Sequence, residues 1–340
     1  MDLISLVNWT FVYILTPGVA VLGVLGNSVS LVVLATQGFK KSSNILLFAL
    51  ALSDLAFMLG ANSVLKLLYF SGRQEGFVFP EGVARVCYYL YHVFDVLDWG
   101  GGTTSMGLPT LITVERMIAV FFPLKFARIV TPRRTLAAVC LVYVFCFGLQ
   151  FYARAWFQFA YVLDPKLNVS VGLVKRSDLF WQQQAVSDVI EKMYTSTVIP
   201  FSVVTAGCLA IGVKVKVASL ARKNMTRFSS TSRDRETSRL KSKPMSRTTK
   251  TLLSVCVFYS VACFFVSLPA IFPQIKVFPF FSADAPNTTA VFVYNVLQFV
   301  LCVNGSVNFV IYVLTNTKFR RTFLQLLRVQ EKRKRHISQL

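Results

Sequence analysis

The chain has 340 residues, of which 54% are hydrophobic and only 15% charged. A soluble domain carries roughly a quarter charged residues, so this composition excludes an ordinary water-solvated globule and points to lipid as the solvent. A net charge of +21 then matters for its distribution along the chain, and no nucleic-acid partner is expected.

Apolar runs of about 20 residues or more, the length that crosses ~30 Å of hydrocarbon, recur near 12–36, 44–70, 84–118, 136–158, 189–219, 249–275 and 289–314. A backbone in lipid must satisfy its own N–H and C=O groups. Runs such as Leu46-Leu47-Phe48-Ala49-Leu50-Ala51-Leu52 lack the alternation of barrel strands, which leaves helices. The expected fold class is an all-α membrane protein, a seven-transmembrane helix bundle within residues 12–314 that forms one domain. The first run is too long for a signal-peptide core, and residues 1–10 hold no Lys or Arg, so it reads as the first span.

Residues 1–11 are expected outside as an extracellular N-terminus. With that orientation the inner loops and tail hold 27 of the 36 Lys and Arg, as the positive-inside rule requires. The sequons at Asn8, Asn168 and Asn287 then face outward as candidate glycosylation sites, whereas Asn224-Met225-Thr226 falls inside. Two loops approach thirty residues, 159–188 outside and 220–248 inside. The inner one mixes Ser and Thr with basic residues, giving a solvated segment accessible to kinases. In residues 315–328, Phe319, Phe323, Leu326 and Leu327 share a face opposite Arg320, Arg321 and Arg328. That pattern predicts a short amphipathic eighth helix on the inner leaflet, followed by a basic cytoplasmic tail, 329–340, attracted to anionic lipid.

Ionisable groups inside a membrane are costly and mark function. Asp54 lies mid-span in the second run, Asp95 and Asp98 in the outer half of the third, and Glu115-Arg116 at its inner end. Asp98 precedes Arg116 by 18 residues, about five turns, so both occupy one side of a helix. Two carboxylates a turn apart favour a cationic ligand group; the competing reading pairs one of them with Lys66 or His92. His92 and His336, the only histidines, make no metal motif, and no nucleophile motif occurs, so the chain is not expected to be an enzyme. Six of the seven cysteines fall within spans as small apolar packing residues, leaving Cys87 near an outer end.

Gly26-Asn27, Leu50-Ala51-Leu52-Ser53-Asp54, Glu115-Arg116-Met117, Pro200, Pro269, Asn308-Phe309-Val310-Ile311-Tyr312 and Lys318-Phe319-Arg320 occur in the right spans and order to resemble the rhodopsin-like (class A) G-protein-coupled receptors. The resemblance covers essentially the whole sequence. Thr113-Val114-Glu115-Arg116, Phe122-Pro123-Leu124-Lys125-Phe126, Thr131-Pro132-Arg133-Arg134 and Asp164-Pro165-Lys166 look like molluscan chemosensory receptors, and the chain is similar also to invertebrate neuropeptide receptors.

The resemblance implies a multi-pass plasma-membrane receptor that binds an extracellular ligand, a chemosensory cue, small amine or peptide, and activates a heterotrimeric G protein. Arrestin and receptor kinases are implied as further partners. It also implies that Glu115 holds Arg116 at rest and that Arg116 meets the Gα subunit on activation, with Asn308, Tyr312 and Pro269 belonging to the same switch. Asp98, and Asp95 a turn above it, fall where amine-binding relatives hold a ligand cation. Asp54, Ser105 and Asn304 match positions that coordinate an allosteric sodium ion, with no other cofactor implied.

Several positions depart from the family. Residues 159–188 contain no Cys to tie to Cys87. Val266-Ser267-Leu268 precede Pro269 where an aromatic toggle is usual, with Phe264 or Phe265 as its substitute. Phe309 replaces a proline, Cys208 a tyrosine, and Gly100-Gly101-Gly102 with Pro109 are expected to weaken or kink the third helix. An opsin is excluded because residues 289–314 hold no Lys. The alternative from another class is a divergent seven-span transporter or channel with an aspartate-lined path, against which the absence of an internal repeat argues.

Overall fold

The computed structural model describes residues 3–70, 76–164, 168–195, 198–228, 247–271 and 288–337. Helix α1 (Leu3–Thr10) passes through a π-turn, Phe11–Leu15, into α2 (Thr16–Gln37). Residues 3–10 are therefore helical and continuous with the first apolar run. Phe11 seals this extension by packing edge-on against Phe299, with centroids 5.3 Å apart. Gly38, at φ 76°, ends α2 in a conformation that costs glycine little, and its N–H bonds to Ala35 at 3.0 Å.

Next come α3 (Ser42–Ala61), α4 (Val64–Phe70), α5 (Glu81–Phe121), α6 (Phe126–Ile129) and α7 (Pro132–Arg154). The second apolar run is thus broken at Asn62-Ser63. Asn62 Nδ2 donates to the Met58 carbonyl at 3.1 Å, and Ser63 Oγ accepts from the Lys66 N–H at 3.4 Å. Thr131 caps α7 by accepting from Arg134 N–H at 3.3 Å, and Pro132 occupies the first helical position, where its missing N–H costs nothing.

Where a bare loop was expected, strands β1 (Phe157–Asp164) and β2 (Val169–Arg176) form an antiparallel hairpin. The chain continues through α8 (Asp178–Gln182), α9 (Gln184–Thr195), α10 (Val198–Phe228), α11 (Arg247–Ile271), α12 (Thr288–Thr315) and α13 (Thr317–Ile337).

Helix α5 runs through the middle of the bundle against α3, α7, α10 and α11, while α12 packs on α11 and closes back onto α2. Leu6–Gln37, Ser42–Phe70, Pro132–Arg154 and Val291–Thr315 are each long and apolar enough to cross a membrane, and Pro200–Lys214 and Leu253–Leu268 are shorter apolar stretches. The protein is a helical membrane protein with a multi-span bundle. Its outward-facing side chains agree: Leu141 and Val144 on α7 are 70% and 71% exposed, a pattern that only a lipid surround makes favourable.

Helices in lipid gain little from the hydrophobic effect, so close packing and interhelical hydrogen bonds hold them. Glycines of α3 and α5 serve the first purpose. A Cβ on Gly101 would strike the backbone of Phe57 and Ser53, and one on Gly60 the backbone of Asp98 and Phe94; the glycines let α3 and α5 touch along their length. Helix α5 stays continuous through Pro109, whose carbonyl accepts from Thr113 Oγ1 at 2.8 Å. Tyr143 Oη donates to the Ala49 carbonyl and Tyr259 Oη to the Met106 carbonyl, both at 2.7 Å. Such bonds contribute about 0.6 kcal/mol each on average.

The amphipathic helix begins where Asn316 Oδ1 accepts from the Phe319 N–H at 3.1 Å. Phe319 is fully buried against Phe309 and Tyr312, and Phe323 packs on Phe309, while Leu324 and Leu327 stay exposed. One apolar face therefore docks α13 on the bundle and leaves leucines free for lipid.

Candidate functional site

The polar side chains buried in the bundle form three groups strung along α5. The first lies at the hairpin end. Lys66, from α4, reaches Asp95 Oδ1 at 3.0 Å and forms an ion pair with Asp98 Oδ2; Arg154, ending α7, pairs with Asp95 Oδ2. Arg154 also bonds to Gln150 Oε1 and to the Gln150 carbonyl, both at 3.3 Å, and lies 3.4 Å from His92 Nδ1. Both aspartates named from the sequence are thus already balanced by cations, with Lys66 bridging the two. Asp98 also lines a cavity of about 60 Å³ with Trp99, Thr103, Met106, Tyr294 and Gln298. That volume admits a ligand head group or a few waters rather than a whole ligand.

A floor of packed aromatics supports this group. Tyr69, Phe77 and Tyr91 stack edge to face, and Tyr88 packs on His92 at 4.3 Å. The hairpin is fastened over them without a disulfide, since Cys87 is free. Phe77 exchanges two backbone bonds with Gly172, at 2.9 and 3.0 Å; Val174 N–H donates to Tyr69 Oη at 3.2 Å; and Arg85 sits 4.9 Å over the Phe159 ring.

The second group is central. Asp54 is fully buried; Ser105 Oγ donates to its Oδ1 and Asn308 Nδ2 to its Oδ2 at 2.7 Å. Asn304 lines a small adjoining cavity with Ser105, Gly102 and Tyr259. Asn27 Nδ2 donates to the Gly305 carbonyl at 3.2 Å, and its Oδ1 has no hydrogen-bond partner among the described residues. Asp54 and Ser105 supply the carboxylate and hydroxyl oxygens a hard cation takes, whereas Asn308 turns its amide nitrogen to Asp54 and Asn304 borders only the adjoining cavity.

The third group lies at the far end of α5. Arg116 and Glu115 pair at 2.7 Å with side chains 9% and 5% exposed. Glu115 Oε2 and Tyr312 Oη lack partners among the described residues. Tyr312 is fully buried against Phe319, so a cavity can reach it only after packing opens. Helix α11 is fastened here through Thr251, bonded to Thr315 at 2.8 Å, and Cys256, 3.3 Å from Thr113.

Pro269 lies within α11, but its side chain is outside the described residues, as is Asn287 altogether. Phe264 and Phe265 are half exposed, whereas Val266 lines the cavity beside Asp98; neither phenylalanine takes the toggle position, because the helix turns both outward. Asn168 stands exposed at the hairpin tip with φ 51°, a left-handed conformation asparagine tolerates. Asn8 Oδ1 instead accepts from Asn295 at 2.8 Å, tying α1 to α12.

This arrangement, a cavity bordered by Asp98 and a remote arginine pair on one helix, accompanies a match of residues 26–312 to the family described as 7 transmembrane receptor (rhodopsin family). The chain belongs to that family. The receptor is 26% identical over 132 residues to a galanin-like G-protein coupled receptor of Caenorhabditis elegans, covering 39% of this chain and 28% of the relative. It is 25% identical over 325 residues to the FMRFamide receptor of Drosophila melanogaster, covering 90% of this chain and 52% of the relative. The receptor thus spans about half or less of the length of these curated relatives. Among the described residues no group of His, Cys, Asp or Glu could hold a metal ion.

Sequence reasoning passed over Arg154, and it treated Lys66 as a competing explanation rather than part of the site. Arg154 ends an apolar run and reads as a boundary charge. The hairpin was legible in the alternation of Phe157-Gln158-Phe159-Ala160-Tyr161 and Val169-Ser170-Val171-Gly172-Leu173, a period of two that length-based span counting ignores.

Proposed function

We propose that this chain is a seven-span plasma-membrane receptor, N-terminus and hairpin outside, that couples an extracellular peptide or amine to a heterotrimeric G protein. One observation carries the reading: a single unbroken helix, Glu81–Phe121, bears both Asp98 at a largely apolar cavity and Arg116 at the opposite end. A displacement felt at one end is thereby transmitted to the other.

The buried Glu115–Arg116 pair corresponds to a resting receptor. Outward movement of α11 would break the Thr251–Thr315 and Cys256–Thr113 contacts, uncover Tyr312 and free Arg116 for the Gα subunit. Similarity to an FMRFamide receptor favours a short peptide among the ligand classes, and chemosensory cues of molluscan type remain within the same reading. A cationic ligand group suits Asp95 and Asp98. Asp54, Ser105 and Asn304 would hold sodium, which would damp activation by tying α3, α5 and α12 together. The Ser/Thr-rich segment between Arg222 and Lys250 is a substrate for receptor kinases and, once phosphorylated, a docking site for arrestin. Asn8, Asn168 and Asn287 would carry glycans, Asn168 the most accessible of those described.

The test is ligand-dependent nucleotide exchange on a panel of Gα proteins, in cells bearing this chain or Arg116→Ala, challenged with FMRFamide and pools of amines and peptides. Exchange seen with the parent chain and lost in Arg116→Ala supports the reading. Silence from a receptor present at the surface sinks it.

A further inference from the structure

The two cations of the hairpin-end cluster are held differently. Arg154 is fixed by Gln150 and by the Phe157 ring, 5.2 Å from its guanidinium, as well as by Asp95. Lys66 projects from the seven-residue helix α4, and its ammonium bridges Asp95 and Asp98. Its side chain is 11% exposed against 15% for Arg154, so burial does not separate them; what differs is that Lys66 carries its ammonium on a flexible four-carbon stem and lacks, among the described residues, the amide and ring contacts of Arg154.

Charge balance then constrains what can enter. Two carboxylates face two cations, so an added cation leaves an excess buried charge and an added anion has no unpaired cation to meet. Exchange of one cation for another keeps the balance. Arg154 has anchors besides the carboxylates, Lys66 is held by the two carboxylates, and Asp98, Lys66's partner, is the carboxylate that lines the cavity with Gln298 and Tyr294.

We propose that Lys66 is the resident occupant of a cation subsite formed by Asp95 and Asp98, and that a ligand ammonium or guanidinium group enters by displacing it. Lys66 thus sets a threshold: weakly paired cations fail to evict it, and a group that also fills the cavity beside Trp99 and Tyr294 succeeds. This rests on the hairpin-end cavity being the ligand site, but its test reads folding and binding rather than coupling.

Full-length receptor carrying Lys66→Ala is reconstituted in nanodiscs, and its thermal unfolding midpoint is followed against n-propylammonium, with sodium chloride matching ionic strength and propionamide as a neutral control. The expected result is a lowered midpoint in Lys66→Ala, at least half restored by propylammonium in a saturable manner. Parent receptor should be unmoved over the same range, and the double variant Lys66→Ala/Asp98→Asn should lose the response. If Lys66→Ala fails to reach the cell surface, propylammonium in the culture medium should raise its surface-labelled amount several-fold. No restoration in either assay, equal restoration by propionamide, or an equal response in the parent receptor each overturns the proposal. None of these outcomes bears on the Arg116 exchange assay.

Discussion

The two ends of α5 bury charge in contrasting ways. At the hairpin end, two carboxylates and two cations from three helices share five elements of support: both ion pairs of Lys66, the Asp95–Arg154 pair, and the Gln150 and His92 contacts of Arg154. At the other end, Glu115 and Arg116 are sequence neighbours that form an ion pair with each other, and Glu115 Oε2 has no partner among the described residues. A network spanning several helices resists rearrangement, because moving one member strands the others. The Glu115–Arg116 ion pair itself lies within one helix and crosses no helix boundary, which suits a switch.

The contrast is broken most severely by removing a carboxylate from the network. Asp95→Ala leaves Arg154 and Lys66 with one carboxylate between them, and an uncompensated buried charge costs about 3–5 kcal/mol; surface expression should fall to near background by antibody labelling. Comparable damage is expected from Gly101→Val, since its side chain would meet the α3 backbone where neither helix can give way. This variant separates packing from charge: its loss should not respond to changes in ionic composition.

At the other end the same kind of change should leave a folded receptor with altered output. Glu115→Gln weakens the hold on Arg116 and should raise ligand-independent nucleotide exchange several-fold at unchanged surface expression. An expression loss matching that of Asp95→Ala would erase the distinction between network and switch. Thr251→Ala removes one hydroxyl contact between α11 and α12 and should raise basal exchange by less, about twofold, in keeping with ~0.6 kcal/mol per interhelical bond. The smallest effect lies outside both ends: Asn168→Gln should shift electrophoretic mobility by one glycan and leave ligand response unaltered.

Hydropathy runs located the long helices and their order. Helix α1 begins at Leu3 because Phe11 and Asn8 find partners on α12, contacts separated by more than 280 residues. The glycines of α5 read as a weakness in isolation and become a packing surface once α3 lies against them.

What the sequence determined by itself was the solvent, the helical class and the family, because each follows from composition, period and local motif. Only the tertiary structure decided which cation meets which carboxylate. Lys66, Asp98 and Arg154 come from three helices, and their pairing depends on how those helices cross. Ion pairing in a buried site acts through distances of a few ångströms, and those distances are set by packing that no local stretch of sequence contains.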